Sequence, residues 1–189
     1  MKAETLLQLF NSIKTLNETE TKDFLQIVRE KRLNKGDYWI REGKTNNEIA
    51  FLFEGYLRKY FDKEGIELTD YFYFENDFCA ELPSIIGKYK PTSNIVAMTS
   101  TELLTFDYNE LMTLCNNSLT LGYIYRTILE QTFLRFYKRS SSFVLQTSKE
   151  RYDELLRNFP QVMQKSTQYH IASYLGISPQ HLSRLRAEK

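Results

Sequence analysis

Between Gln168 and Arg186 the chain reads QYHIASYLGISPQHLSRLR, and its residue types fall where two short helices joined by a sharp turn need them. A first helix that passes close to a second needs a small contact residue, and Ala172 is one. The turn needs a residue that tolerates positive φ, which Gly176 supplies. Ile171, Leu175, Ile177, Leu182 and Leu185 are spaced to bridge the pair. Ser178 is a good N-cap, and Pro179 at the first helical position lacks only an amide that the helix would leave unpaired. The face left over carries Gln180, His181, Ser183, Arg184 and Arg186. Gln and Arg make bidentate contacts to adenine and guanine edges in the major groove. Thr167 and Ser178, at the two helix starts, offer hydroxyls and free amides to phosphate oxygens. The pattern predicts a helix-turn-helix on double-stranded DNA, with a recognition helix over about residues 178–187.

Enzyme chemistry is poorly supplied. A β-barrel metalloenzyme needs a cluster of His and carboxylates lining the barrel. Both histidines here, His170 and His181, lie inside the helical motif, and residues 33–108 hold none. Glu75 and Asp77 read as turn and surface carboxylates. No G-x-S-x-G, phosphate loop or cysteine nucleophile pattern occurs. Cys79 and Cys115 stand far apart in apolar or mixed surroundings, as reduced, buried thiols do. No catalytic residue, metal or cofactor is expected.

Charge divides the chain. Its formal net charge is only +1, but residues 126–189 carry 11 Lys+Arg against 5 Asp+Glu, whereas residues 1–125 carry 14 against 19. A basic third behind an acidic body suits a polyanion at one end. No apolar run approaches the ~18 residues of a membrane span, and MKAETLLQLFNSIK has polar and acidic residues where a signal peptide would be apolar. A cytoplasmic protein with no membrane partner is expected.

The elements that must position the motif follow from spacing. Leu6, Leu7, Phe10 and Ile13 mark a helix over 3–15, and capping residues at 17–19 open a second one that carries Phe24, Leu25, Ile27 and Val28. From Leu33 on, Gly36, Gly43, Gly55, Gly65 and Gly87 punctuate strand-like segments at 38–41, 49–53, 57–61, 67–73, 94–98 and 102–107, the texture of a sandwich, jelly roll or barrel. A short helix at 109–115 precedes a long one over about 119–145. Its apolar stripe, from Leu121 and Ile124 through Phe133, Phe136 and Phe143, is wider than one contact needs. Pairing with a second copy accounts for the width, and packing along its own barrel is the alternative. Ser140–Ser142 mark a place for a hinge or interruption. Residues 148–158 form a supporting helix, with Tyr152, Leu155 and Leu156 against the hairpin.

With these pieces in order, the chain resembles the Crp-Fnr family of bacterial transcription regulators nearly end to end. The resemblance rests on the helix-turn-helix, the spaced glycines and Phe78-Cys79-Ala80-Glu81-Leu82, which is similar to the family's Phe-x-Gly-Glu-Leu entry to a phosphate-binding site. It implies an α+β chain in three parts: an N-terminal β-roll of the double-stranded β-helix or jelly-roll kind with lead-in helices over 1–116, a long dimerisation helix over 117–146, and a helix-turn-helix domain over 147–189. The implied partners are DNA, a second copy and RNA polymerase.

In members that respond to cyclic nucleotides, the Glu binds the ribose 2′-hydroxyl, and an Arg-Ser pair about ten residues on binds the phosphate. Glu81 is kept, but Ala80 replaces Gly and Pro91-Thr92 stands where Arg-Ser would. Thr92 retains a hydroxyl; Pro91 offers neither charge nor donor, and Lys88 or Lys90 cannot copy a bidentate guanidinium. The adenine-contacting pair falls near Arg135-Phe136, which does not match it. Any effector pocket involves Ala80, Glu81, Leu82 and Thr92, and cAMP is not its expected ligand. The iron–sulfur and haem sensors of the family need cysteines or histidines that the N-terminal part lacks. A ligand sensor that acts through a protein partner is the alternative; its docking helix would show an exposed apolar stripe where this one is polar.

Overall fold

The computed structural model describes residues 2–187. Helices α1 (Lys2–Ile13) and α2 (Glu18–Ile27) open the chain. Asn17 caps α2: its side chain accepts the Glu20 amide at 2.8 Å while the Glu20 carboxylate accepts the Asn17 amide at 3.0 Å, a reciprocal capping box. Val28, expected on this helix, is instead its extended C-cap and leads into β1 (Arg29–Leu33). That strand escapes the sequence pattern because Arg29, Glu30, Lys31 and Arg32 are all exposed. It is an edge strand, where charge discourages pairing with another chain.

The remaining strands are β2 (Tyr38–Ile40), β3 (Glu48–Glu54), β4 (Leu57–Lys63), β5 (Ile66–Tyr73), β6 (Phe78–Cys79), β7 (Asn94–Ala97) and β8 (Thr101–Asp107). Among the described residues they form two four-stranded antiparallel sheets, ordered β1-β8-β3-β6 and β2-β7-β4-β5. Glu64 and Gly65, both at positive φ, close the β4–β5 hairpin between paired Lys63 and Ile66, as a two-residue turn of matching twist requires. Gly55 is fixed by space as well as by its φ of +109°: a Cβ there would lie 2.6 Å from Thr101 Oγ1.

Strand alternation distributes side chains over three cores. Ala50 and Leu52 of β3, Leu57, Tyr71, Tyr73, Ile95 and Leu103 fill the space between the sheets. Ile49 and Phe51 of β3, with Leu104 and Phe106 of β8, turn the other way and meet α1, α2, α4 (Tyr108–Asn117) and the start of α5 (Leu119–Leu145). Tyr56, Phe72 and Phe74 turn outward from the second sheet into a third core, built with the C-terminal helices.

Helix α5 spans the expected residues without a break. The serines do not interrupt it, because Ser141 and Ser142 donate their hydroxyls to the carbonyls of Lys138 and Arg139 at 3.2 and 2.7 Å and so stay satisfied within the helix. After it come α6 (Ser148–Asn158), α7 (Val162–Lys165), α8 (Gln168–Leu175) and α9 (Pro179–Ala187). Helix α3 (Leu82–Gly87), like α7 and β6, is too short to leave a periodic signature. No described helix is long and apolar enough to cross a membrane.

Candidate nucleic-acid interface and the adjoining cleft

The turn between α8 and α9 is closed by its own backbone. Gly176 sits at φ +69°, its amide donates to Ser173 O at 3.1 Å, and the Ile177 amide donates to Ala172 O at 3.0 Å. This pair of bonds is the Schellman termination, and it aims α9 away from α8. Ser178 starts α9 by accepting the His181 amide on Oγ at 3.2 Å, and Thr167 does the same for α8 with His170 at 3.2 Å. Ile171, Ala172, Leu175, Leu182 and Leu185 are all buried between the helices, with Tyr152 and Leu155 of α6 behind them. Gln180, His181, Ser183, Arg184 and Arg186 are exposed, as are Thr167 and Ser178. Ser183 Oγ donates to Pro179 O, and His181 Nε2 lies 3.4 Å from Ser148 Oγ. No carboxylate forms an ion pair with Arg184 or Arg186 among the described residues. The outer face of α9 therefore presents two exposed guanidiniums beside amide, imidazole and hydroxyl groups, which suits a phosphate-lined groove.

This motif is seated on the β-roll. Phe72 of β5 packs on Tyr174 of α8 with ring centroids 5.2 Å apart, and Phe74 meets Phe159 at 5.7 Å. The Thr69 amide donates to Ser173 Oγ at 2.9 Å, Ser173 Oγ donates to Glu67 O, and Tyr56 and Ser166 share a hydrogen bond. Arg139 of α5 lies over the Tyr174 ring at 3.8 Å and donates to the Tyr174 carbonyl. His170 is held at the same seam, 4.0 Å from Glu67. Burial first, and Arg58 second, lower its pKa from the usual 6.5. None of this docking was legible in the sequence, since an outward Phe72 or Phe74 reads as ordinary core until a partner surface is known.

The side chains of β5 that turn the other way reach a cleft of about 630 Å³ between the roll, α3 and α5. Tyr71, Tyr73, Ala80, Leu82, Ile86 and Phe136 are among its walls. A bulge in the β4–β5 ladder leaves Asp70 without a strand partner, and bulges re-aim side chains in this way. Its carboxylate lies 3.3 Å from Lys59 Nζ.

Of the residues expected in an effector pocket, Ala80 and Leu82 line this cleft. Glu81 is buried behind them and already bonded: its carboxylate accepts the Ser93 hydroxyl at 3.0 Å and the Ser84 amide at 3.1 Å, with Lys59 Nζ at 3.7 Å. Thr92 is exposed, and the hydroxyl that meets Glu81 belongs to its neighbour Ser93, in the bend that precedes β7. Pro91 is buried with its carbonyl held by the Gly43 amide, and Lys88 and Lys90 are exposed. Arg135 and Phe136 line the cleft, and Arg135 pairs with Asp77 at 2.8 Å. Asp77 is thus a half-buried residue, its side chain 14% exposed, and not the surface carboxylate expected, whereas Glu75 is exposed and pairs with Lys165. Cys79 and Cys115 are free thiols whose pKa values burial raises, that of Cys115 to about 11. No group of three or more His, Cys, Asp or Glu among the described residues is placed to hold a metal ion.

Residues 30–118 match the cyclic nucleotide-binding domain family. Among solved structures, a CooA mutant from Carboxydothermus hydrogenoformans is similar at a TM-score of 0.71 and 18% identity, covering 97% of this chain and 83% of that one. A protein from Eubacterium rectale, described as a transcriptional regulator of the Crp/Fnr family, gives 0.70 at 19% identity, covering 94% and 83%. FixK2 from Bradyrhizobium japonicum gives 0.72 at 13% identity, covering 86% and 84%. No curated protein matches the chain. Identities this low speak for fold and leave the ligand to be argued from the site itself. Residues 30–118 thus match the cyclic nucleotide-binding domain, and the chain as a whole has the fold seen in Crp/Fnr regulators.

Proposed function

We propose that this chain is a sequence-specific transcription regulator, not an enzyme, that binds double-stranded DNA as a homodimer in the bacterial cytoplasm. The observation that carries the reading is the exposed polar and basic face of α9 on a turn closed by Gly176. Gln180, Ser183 and Arg184 read base edges, His181 and Arg186 flank them, and Thr167 and Ser178 hold phosphates at the helix starts. Helix α5 supplies the dimer contact. Phe133, Tyr137, Val144 and Leu145 are 65%, 61%, 84% and 78% exposed, an apolar surface that a lone chain in water would not favour and that a second copy of α5 covers. A two-fold dimer places two recognition helices about one DNA turn, 34–36 Å, apart. RNA polymerase is the protein partner such a regulator recruits or occludes.

Electrophoretic mobility shifts of the full chain on its own promoter region test this. Retardation that weakens steeply with added salt is expected, because Lys and Arg displace condensed counterions from the phosphates. Absence of any complex at low salt would refute it and favour a sensor acting through a protein partner.

A further inference from the structure

The cleft beside α5 has walls that discriminate among ligands. The charged side chains lining it are Lys59, Asp70 and Arg135. Each is already committed within the protein: Lys59 to Asp70 and to Glu81 at 3.3 and 3.7 Å, and Arg135 to Asp77 at 2.8 Å. These pairs comprise two cations and three carboxylates, so no positive charge is left over for an anion. The buried Glu81 spends its carboxylate on Ser84 and Ser93 and leaves little to accept from a sugar hydroxyl. A phosphate drawn to Lys59 would have to break its buried pair with Glu81, which leaves a desolvated carboxylate behind, and Arg135 already faces Asp77. What remains is aromatic and aliphatic: Tyr71, Tyr73, Phe78, Leu82, Ile86 and Phe136. A volume of about 630 Å³ falls in the range of small-molecule sites, roughly 300–1,000 Å³.

We propose that this cleft binds an uncharged, apolar small molecule and that its occupancy is the input of the regulator. Its role as an input rests on the DNA-binding reading above; the binding itself does not. Strand β5 supplies the connection. Tyr71 and Tyr73 face the cleft while the intervening Phe72, and Phe74 beyond, pack on the helix-turn-helix domain. A molecule that shifts the tyrosines moves the seat of α8.

The full chain is titrated with N-phenyl-1-naphthylamine, a dye uncharged at neutral pH that fluoresces in apolar surroundings. Saturable binding of one dye per chain is expected. Ile86→Glu should weaken it about tenfold or more, since the dye would then meet a charge with no partner. Ile86 is 56% exposed, so the variant should melt with the parent; Ile86→Lys replaces it if the acid disturbs folding. Millimolar cyclic AMP should not displace the dye. Three results overturn the binding: no saturable signal, as when a second copy of α5 fills the cleft; equal binding by the Ile86 variant; or displacement by cyclic AMP. These measurements use no DNA, so they fail or succeed independently of the regulator reading. On a DNA site that the chain retains, dye should shift the affinity about fivefold or more. An unchanged affinity overturns the assignment as input.

Discussion

Substituting Gly176 by Ala tests how α9 is aimed. Gly176 holds φ +69°, in the left-handed region where a Cβ costs a non-glycine residue roughly 1–2 kcal/mol. The added Cβ would also stand 2.8 Å from Phe143 Cε1. That ring is half exposed and lies against the Arg139 and Arg151 guanidiniums at 4.3 and 5.0 Å. It can swing aside, at the expense of those contacts. For a chain of this length, 1–2 kcal/mol corresponds to a fall in Tm of about 2–8 °C. Thermal melting followed by circular dichroism measures it. Gly65→Ala is the control, because Gly65 has φ +83° with nothing within 4 Å of its added Cβ; it isolates the backbone part, and any excess at Gly176 belongs to Phe143. Gly176→Asn should lose less, since Asn tolerates this region. A Gly176→Ala protein that melts at or above the parent temperature would show that the turn is not held as described.

Three further outcomes are expected of the same fold. Arg184→Ala should reduce discrimination between specific and unrelated duplexes by about 1–3 kcal/mol and lower non-specific affinity less; equal losses on all sequences, measured by fluorescence anisotropy, would remove Arg184 from base reading. Tyr137→Glu combined with Val144→Glu places charges on exposed apolar positions of α5 and should give a monomer by sedimentation, whereas an intact dimer would put the interface elsewhere. His170 titrates below 6.5 in the folded chain, so the unfolded chain takes up the proton first, and stability should fall as the pH drops below about 6.5. His170→Gln should lessen that decline in Tm between about pH 7.5 and 5.5, and an identical decline in the variant would assign it to other groups.

How far the sequence revealed these features depends on whether the signal is local. The helix-turn-helix is local: Ala172, Gly176, Ser178 and Pro179 each satisfy a nearby steric or hydrogen-bond demand, and α9 lies where those demands put it. Helix α5 is equally legible because 27 residues without proline leave a long periodic record. Strand β1 was hidden by its exposed charges, and α3, α7 and β6 by their brevity. Glu81 could be singled out from its motif, but its partners could not. Lys59 and Ser93 approach it from β4 and from the entry to β7, and only the packing of the roll brings them there. The seating of α8 on β5 likewise joins residues more than a hundred positions apart, such as Thr69 and Ser173.

In the function proposed, α9 reads DNA from a two-fold dimer. Selection of bound duplexes from a randomised pool by the full chain, followed by sequencing, tests it most directly. Enrichment of a two-fold-related motif with half-sites centred about 10–10.5 base pairs apart, or a multiple of that spacing, is the predicted result. Failure to enrich any sequence at low salt, or enrichment that Arg184→Ala and Gln180→Ala leave unchanged, would contradict it.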